Sequence, residues 1–194
     1  TEQNMSKRAN HHYMIVAETQ AGKSTLAGVI ARGIAERSQA PAVIAGHDAK
    51  KIPGKGDITR WLCEFTEDYK IDGYENTRTC CDLVHNLAAE HFEIVSDAGG
   101  GCNGVRELII IQDEMNTIYG QGKGYGKHID SDLAKEIQAE WLFQATQLAG
   151  LKGHSIFMGQ SPLSGDTGFS RPAIKNMCFI AMGGTSGYIL ENSK

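Results

Sequence analysis

The stretch Ala17-Glu18-Thr19-Gln20-Ala21-Gly22-Lys23-Ser24 decides the fold. It matches the phosphate-binding loop pattern Gly-x-x-x-x-Gly-Lys-Ser/Thr, with alanine in place of the first glycine. The surrounding sequence fits this pattern. The apolar run His12–Ala17 predicts a buried strand before the loop, and the apolar spacing in Ser24–Arg37 predicts an amphipathic helix after it. Such a loop binds phosphate groups through its backbone N–H groups and the positive end of the helix.

The residues of this loop have separate predicted roles in binding a nucleoside triphosphate. Gly22 lets the backbone approach the phosphates, the Lys23 ammonium reaches the β- and γ-phosphates, and the Ser24 hydroxyl is a Mg²⁺ ligand. We expect the nucleotide to contact Glu18, Thr19, Gln20, Ala21, Gly22, Lys23, Ser24 and Thr25.

Two other predicted strands end in polar residues. The apolar run Leu108–Gln112 is followed by Asp113 and Glu114, and the run Ser155–Gly159 is followed by Gln160. Beside a phosphate loop, Asp113 is predicted to hold Mg²⁺ and Glu114 to orient or deprotonate the attacking water. Gln160 is predicted to hydrogen-bond the γ-phosphate or that water. The alternative is that these residues are only solvated strand ends.

The other predicted elements alternate along the chain. Together they predict an α/β fold with a mostly parallel central sheet and helices on both faces. The other predicted helices cover 58–65, 79–95 and Asp130 or Ser131 to about Leu148, and the other predicted strands cover 42–45, 177–182 and 188–190. Polar or glycine-rich loops are predicted at 67–78, 97–103 and 116–128.

The domain organisation follows from the same pattern. Residues 1–10 are expected to form a flexible tail or a tag remnant, and residues 11–194 a single domain with a glycine-rich insertion around 116–130. A piece cut from a longer chain is an equally open interpretation of the first residues.

Composition excludes several classes of protein. The chain has 194 residues, 41% of them hydrophobic, and a net charge of −4, which excludes a strongly basic nucleic-acid-binding domain but not a local basic loop. No run of about 18 apolar residues predicts a membrane span, and no signal-peptide pattern occurs. The five cysteines are therefore predicted to be reduced thiols in a cytoplasmic protein. Cys81 and His85 have the spacing of half a metal site, but no second pair accompanies them.

Four stretches carry a family resemblance: Ile110–Glu114, Gln147–His154, Gly159–Pro162 and Ala173–Asn176. In these the chain resembles the additional-strand, catalytic-glutamate P-loop ATPases, and within them the FtsK/HerA family of DNA-translocating ATPases. The resemblance implies a RecA/FtsK-like fold with strand order 5-1-4-3-2, ATP and Mg²⁺ as cofactors, ring-shaped homo-oligomers and duplex DNA as partner. Gln112 before Asp113 departs from the family's usual Ile-Asp-Glu.

The cations beyond these motifs have two interpretations each. Arg171 and Lys175 lie where an arginine inserted into a neighbouring subunit's site is expected, and the alternative is a solvated surface charge. The glycine-rich loop can contact a nucleic-acid backbone, or it is an ordinary surface loop. Its cationic and aromatic residues are Lys123, Tyr125, Lys127 and His128.

Three functions compete at this point. The first is Mg-dependent ATP hydrolysis coupled to DNA translocation or processing. The second is a slow ATP-dependent assembly or switch protein that acts through protein partners. The third is a small-molecule phosphotransferase, which the absence of an arginine-rich segment in the sequence disfavours.

Overall fold

The computed structural model describes residues 12–49, 69–100, 104–119, 130–161 and 167–184. Strands and helices alternate along these residues. In chain order they are β1 (His12–Ala17), α1 (Lys23–Ala35), β2 (Val43–Asp48), β3 (Lys70–Asp72), α2 (Thr77–Asp97), β4 (Leu108–Gln112), α3 (Met115–Tyr119), α4 (Ser131–Gln147), β5 (Gly153–Gly159), α5 (Arg171–Lys175) and β6 (Met177–Met182).

The sheet has six strands in the order β3-β2-β4-β5-β1-β6, and all its pairs are parallel. This confirms the α/β fold class predicted from the sequence. The order differs from the expected five-stranded one by the added edge strand β3, and the other five strands follow 5-1-4-3-2. Residues 70–72 were predicted to be loop because Lys-Ile-Asp has no apolar run. They form a strand because they pair with 46–48 of β2.

Helices cover both faces of the sheet. Along β4, the buried Ile109 and Ile111 pack on the side of α1, whereas Leu108 and Ile110 pack on the side of α2. Successive side chains of a strand point to opposite faces, so a fully apolar strand needs cover on both. A third cluster on the α4 side contains Trp141, Phe157 and Phe169, with ring centroids 5.0–6.3 Å apart. Burying a side chain of this size contributes roughly 1.5–3 kcal/mol.

The predicted helices at 79–95 and 131–148 are confirmed with small shifts of their ends. Asp130 caps α4, because its Oδ1 accepts hydrogen bonds from the N–H groups of Asp132 at 3.1 Å and Leu133 at 2.8 Å. The predicted loop at 116–128 is wrong for its first residues, since Met115–Tyr119 form α3. Met115 and Ile118 are buried in the core, and this packing overrides the glycine-rich composition that follows them.

Several predictions lie outside the described residues. They concern the tail 1–10, the short helix at 58–65, the remainder of the glycine-rich loop at 120–129 and the last strand at 188–190. Among the helices that are described, none combines the length and the apolar character needed to cross a membrane.

Candidate functional site

Three predicted site segments leave the sheet at the same edge. Strand β5 lies between β1 and β4, and all three are parallel. The register sets Val16 of β1 beside Gly159 and Gln112 of β4 beside Phe157. The loop after β1, the acidic pair after β4 and Gln160 after β5 are therefore neighbours. This edge, at the carboxyl ends of the strands, is where parallel α/β sheets bind ligands.

The loop between β1 and α1 has the backbone of a compact turn. Gly22 has φ +88°, the left-handed region that glycine adopts without strain, and it is directly followed by the first residue of α1. The Ala21 N–H donates to the Glu18 carbonyl at 3.3 Å, and Gln20 also has a positive φ of +67°. Glu18, Thr19 and Gln20 are exposed, while Ser24 and Thr25 lie half-buried in the first turn of the helix.

The Lys23 ammonium is held inside this loop. Its side chain is buried, and its Nζ donates to the Ala17 carbonyl at 2.8 Å and the Glu18 carbonyl at 2.9 Å. Phosphate oxygens are charged acceptors and bind an ammonium more strongly than neutral carbonyls do. A nucleotide phosphate entering the loop can therefore draw this ammonium from the carbonyls.

The end of β6 lines the loop, which sequence reasoning missed. A Cβ on Gly22 would lie 3.8 Å from Cε of Met182, and a Cβ on Gly184 would lie 2.5 Å from the carboxylate of Glu18, whose exposed side chain would have to move aside. The pair Gly183-Gly184 after an apolar strand is the only sequence signal of this close approach.

The acidic pair lies at the turn from β4 into α3. Asp113 and Glu114 are both buried, with 8% and 7% of their surfaces exposed. The Asp113 N–H donates to the His47 carbonyl of β2 at 3.2 Å, which fixes the end of β4. Glu114 has φ +52°, uncommon for a residue with a side chain, and Thr117 Oγ1 donates to its Oε2 at 3.0 Å. This turn from β4 into α3 keeps both residues of the acidic pair at the end of the strand.

These oxygen ligands fit a magnesium ion. Mg²⁺ prefers hard oxygen ligands and is usually held by one or two carboxylates together with substrate phosphates and water. The Ser24 hydroxyl in the first turn of α1 and the Asp113 carboxylate after β4 belong to segments at this edge and supply that chemistry.

Gln160 is exposed at the end of β5, and Asn116 of α3 holds its backbone. Asn116 Oδ1 accepts hydrogen bonds from the N–H of Gln160 and, at 3.0 Å, from the N–H of Ser161. Asn116 Nδ2 donates to the Ser161 carbonyl at 3.0 Å. Sequence reasoning missed Asn116, although an asparagine two residues after an acidic pair is a residue type that often bonds to nearby backbone.

Of the predicted cationic residues, two lie on helix α5. Arg171 is the first residue of α5, whose N-cap Ser170 accepts from the Ala173 N–H at 3.4 Å, and Lys175 is the exposed last residue of that helix. Lys123, Tyr125, Lys127 and His128 lie outside the described residues.

The Cys81–His85 pair is not part of a described metal cluster. His85 Nδ1 instead lies 3.0 Å from Oε2 of Glu140 on α4. Burial, with a further contribution from the Glu140 charge, raises the pKa of Cys81 to about 11, so its thiol is protonated at neutral pH.

Known proteins share this architecture without close sequence similarity. No protein-family model and no curated protein sequence matches the chain. The pCW3 conjugation coupling protein TcpA, in its monomer form with ATPγS, superposes with a TM-score of 0.60 at 12% identity, over 88% of this chain and 48% of its own. The chain has the fold of an FtsK-like P-loop ATPase.

Two further structures extend this comparison. The cytoplasmic domain of EssC superposes with a TM-score of 0.59 at 9% identity, over 95% of this chain and 35% of its own. The cytoplasmic domain of the type VII secretion ATPase EccC from Thermomonospora curvata gives 0.55 at 16% identity, over 93% of this chain and 20% of its own. The chain thus spans less than half the length of each of these three proteins. Similarity at this level of identity shows the fold.

Proposed function

We propose that this chain binds ATP with Mg²⁺ and hydrolyses it. The observation that carries the proposal is the juxtaposition of the phosphate loop, the buried acidic pair and Gln160 at the ends of β1, β4 and β5. Three motifs separated by dozens of residues meet at the ligand-binding edge of one sheet. The nucleotide-binding and ATPase character of the structural neighbours supports this proposal.

Each of these residues has a separate proposed role in ATP binding and hydrolysis. The Lys23 ammonium exchanges its two carbonyl acceptors for the β- and γ-phosphate oxygens, and the loop N–H groups surround the phosphates. Ser24 and Asp113 would hold the metal. When bound, Mg²⁺ neutralises charge that develops on the phosphate oxygens.

The attacking water is prepared by the carboxylate next to the metal ligand. Glu114 orients this water or accepts its proton, and the Gln160 side chain hydrogen-bonds the γ-phosphate or the water. Hydrolysis is favoured over transfer to another substrate because a second carboxylate adjoins Asp113 and can serve a water nucleophile.

The finer proposal is that hydrolysis drives translocation or processing of duplex DNA by a ring of identical subunits. The resemblance to the FtsK/HerA family supports it, as does the similarity in fold to a conjugation coupling protein. In such a ring, Arg171 is proposed to contribute its charge to the neighbouring subunit's nucleotide, and the basic residues around 123–128 to contact the DNA backbone.

The first test is steady-state hydrolysis of ATP by the wild-type chain and by Glu114→Gln, each with Mg²⁺ or with a chelator. Loss of a general base typically costs 10²–10⁴-fold in rate. We expect Glu114→Gln to bind Mg-ATP within about two-fold of wild type and to lose at least about 100-fold in turnover. The control is Glu93→Gln, the same change at an exposed position of α2. Normal turnover by Glu114→Gln would contradict its assignment as the base.

Duplex DNA added at low salt tests the finer proposal. Stimulated hydrolysis that weakens as salt is added supports coupling to DNA, because contacts with the phosphate backbone are salt-dependent. Slow hydrolysis that is indifferent to DNA contradicts the coupling and favours an assembly or switch protein that acts through other partners.

A further inference from the structure

One short helix connects the acidic pair to the neighbouring strand end. Helix α3 begins directly after Glu114, and the Glu114 carbonyl accepts from the N–H groups of Thr117 at 2.9 Å and Ile118 at 3.0 Å. From the same turn, the Asn116 side chain makes three hydrogen bonds to the backbone of Gln160 and Ser161. The positions of Glu114 and Gln160 therefore depend on one helical turn.

The end of β5 is shaped to accept this side chain. Gly159 precedes Gln160 and has no Cβ; a Cβ there would collide with Asn116 Oδ1 and lie 3.0 Å from Met115 Cγ. The Asn116 side chain thus packs directly against the backbone of Gly159. Any larger residue at position 159 would displace the Asn116 side chain. Its Oδ1 accepts two consecutive N–H groups, which fixes the direction in which the chain leaves the strand.

Two buried side chains of α3 hold this helical turn in place. Met115 and Ile118 on either side of Asn116 and Thr117 are buried in the core, with at most 1% of their surfaces exposed. Two core side chains hold the helix, so its polar residues have little freedom to shift. Residues near reacting groups are effective when they are held in this way by packing and further hydrogen bonds.

We propose that Asn116 is a positioning residue for ATP hydrolysis, which sets the Gln160 side chain in register with the water held by Glu114. This inference rests on the proposed function. Asn116 acts through the Gln160 backbone, and its contribution appears when the γ-phosphate and the water must be aligned together. Misplacement of a catalytic group by about 1 Å can cost on the order of 100-fold in rate while the bulk of the nucleotide still binds.

The test measures Mg-ATP affinity and turnover separately for wild type and Asn116→Ala. We expect an affinity within about two-fold of wild type and a kcat at least about ten-fold lower, since alignment and not binding is lost. The matched control is Asn76→Ala, which removes an asparagine side chain that donates to the Asp72 carbonyl at 2.8 Å, at the far edge of the sheet. We expect this control to keep wild-type kcat.

A second variant disturbs the same contact without removing Asn116. Gly159→Ala places a methyl group against Asn116 Oδ1 and is expected to lower kcat with little change in affinity. The double variant should be no worse than about two-fold below the poorer single variant, because both changes break one interaction. Thermal unfolding of each variant shows that the comparison is made on folded protein.

The outcomes separate the two proposals. If the wild-type chain hydrolyses Mg-ATP and folded Asn116→Ala or Gly159→Ala has the same kcat as wild type, the role of Asn116 is overturned and the ATPase proposal stays intact. A fall in affinity that matches the fall in turnover also overturns it, because it indicates a disrupted binding site. Failure of the wild-type chain to hydrolyse Mg-ATP overturns both.

Discussion

At the scale of single residues, the proposed function requires the buried Lys23 ammonium to change partners when a nucleotide binds. Its ammonium is bonded to two backbone carbonyls of its own loop. We predict that Lys23→Ala weakens Mg-ATP binding at least ten-fold, because the phosphates lose their charged donor. Titration with a fluorescent ATP analogue measures this change.

The control for Lys23 is the same substitution at Lys135, whose ammonium pairs with Asp132 at 3.1 Å on the exposed side of α4. Lys135→Ala is expected to bind as wild type does, since an exposed pair contributes little. Unchanged affinity in Lys23→Ala would contradict the assignment of the loop as a phosphate site.

Single residues also show where sequence reasoning succeeds. Lys23, Asp113, Glu114 and Gln160 were predicted at one edge of the sheet because each lies in the segment that follows an apolar strand, and parallel strands end at one edge. Their chemical roles remain predictions. Asn116 was missed because its importance comes from bonds to residues 44 and 45 positions away, which no local pattern reports.

At the scale of elements, Gly46 allows β2 to approach β4. It is buried in the strand at φ +156°, and a Cβ there would collide with the backbone of Ile111. We predict that Gly46→Ala lowers the free energy of unfolding by roughly 1–3 kcal/mol, because the two strands must separate or bend. Urea denaturation at neutral pH measures the loss.

The same substitution at Gly33 is expected to have the opposite effect on the free energy of unfolding. It lies in α1, where an added Cβ would meet nothing within 4 Å. Gly33→Ala is therefore expected to raise the free energy of unfolding by up to about 1 kcal/mol, because alanine is the better helix former. Equal effects at the two glycines would refute the steric argument for Gly46.

The elements that sequence reasoning missed were short. Long apolar strands such as β4 and amphipathic helices such as α4 were predicted because burial on one or two faces leaves a periodic pattern. Strand β3 has three residues and is defined by its pairing with β2. Helix α3 has five residues and is held by the burial of Met115 and Ile118. In both, contacts with distant parts of the chain decide the structure.

At the scale of the whole molecule, stability and chemistry are separated in space. The apolar clusters lie on the two faces of the sheet, whereas the proposed catalytic groups lie at the carboxyl ends of its strands. Variants at that edge can therefore be studied in a folded chain. Two of the buried histidines, His47 and His91, couple the stability of the whole fold to pH.

His47 lies on β2 with 1% of its surface exposed, and its Nε2 is 2.9 Å from the Gly73 carbonyl. Burial lowers the pKa of His47 below its usual value near 6.5, against the opposing effect of the Gly73 hydrogen bond. Burial likewise lowers the pKa of His91, whose Nε2 bonds to the Leu151 carbonyl. Both imidazoles stay neutral in the folded chain at a pH where the unfolded chain has begun to bind protons.

The unfolded state therefore binds more protons than the folded state below about pH 6.5, and stability falls as the pH is lowered through that value. We predict that the free energy of unfolding, measured with urea between pH 7.5 and 5.5, declines by at most about 1.4 kcal/mol per pH unit for each histidine. Above pH 5.5 the protonation of carboxylates contributes little. His47→Gln removes one titrating group while leaving an amide that can donate to Gly73, so its decline should be shallower, and that of His47→Gln/His91→Gln shallower still. A decline as steep in the double variant as in wild type would show that other groups couple the fold to pH.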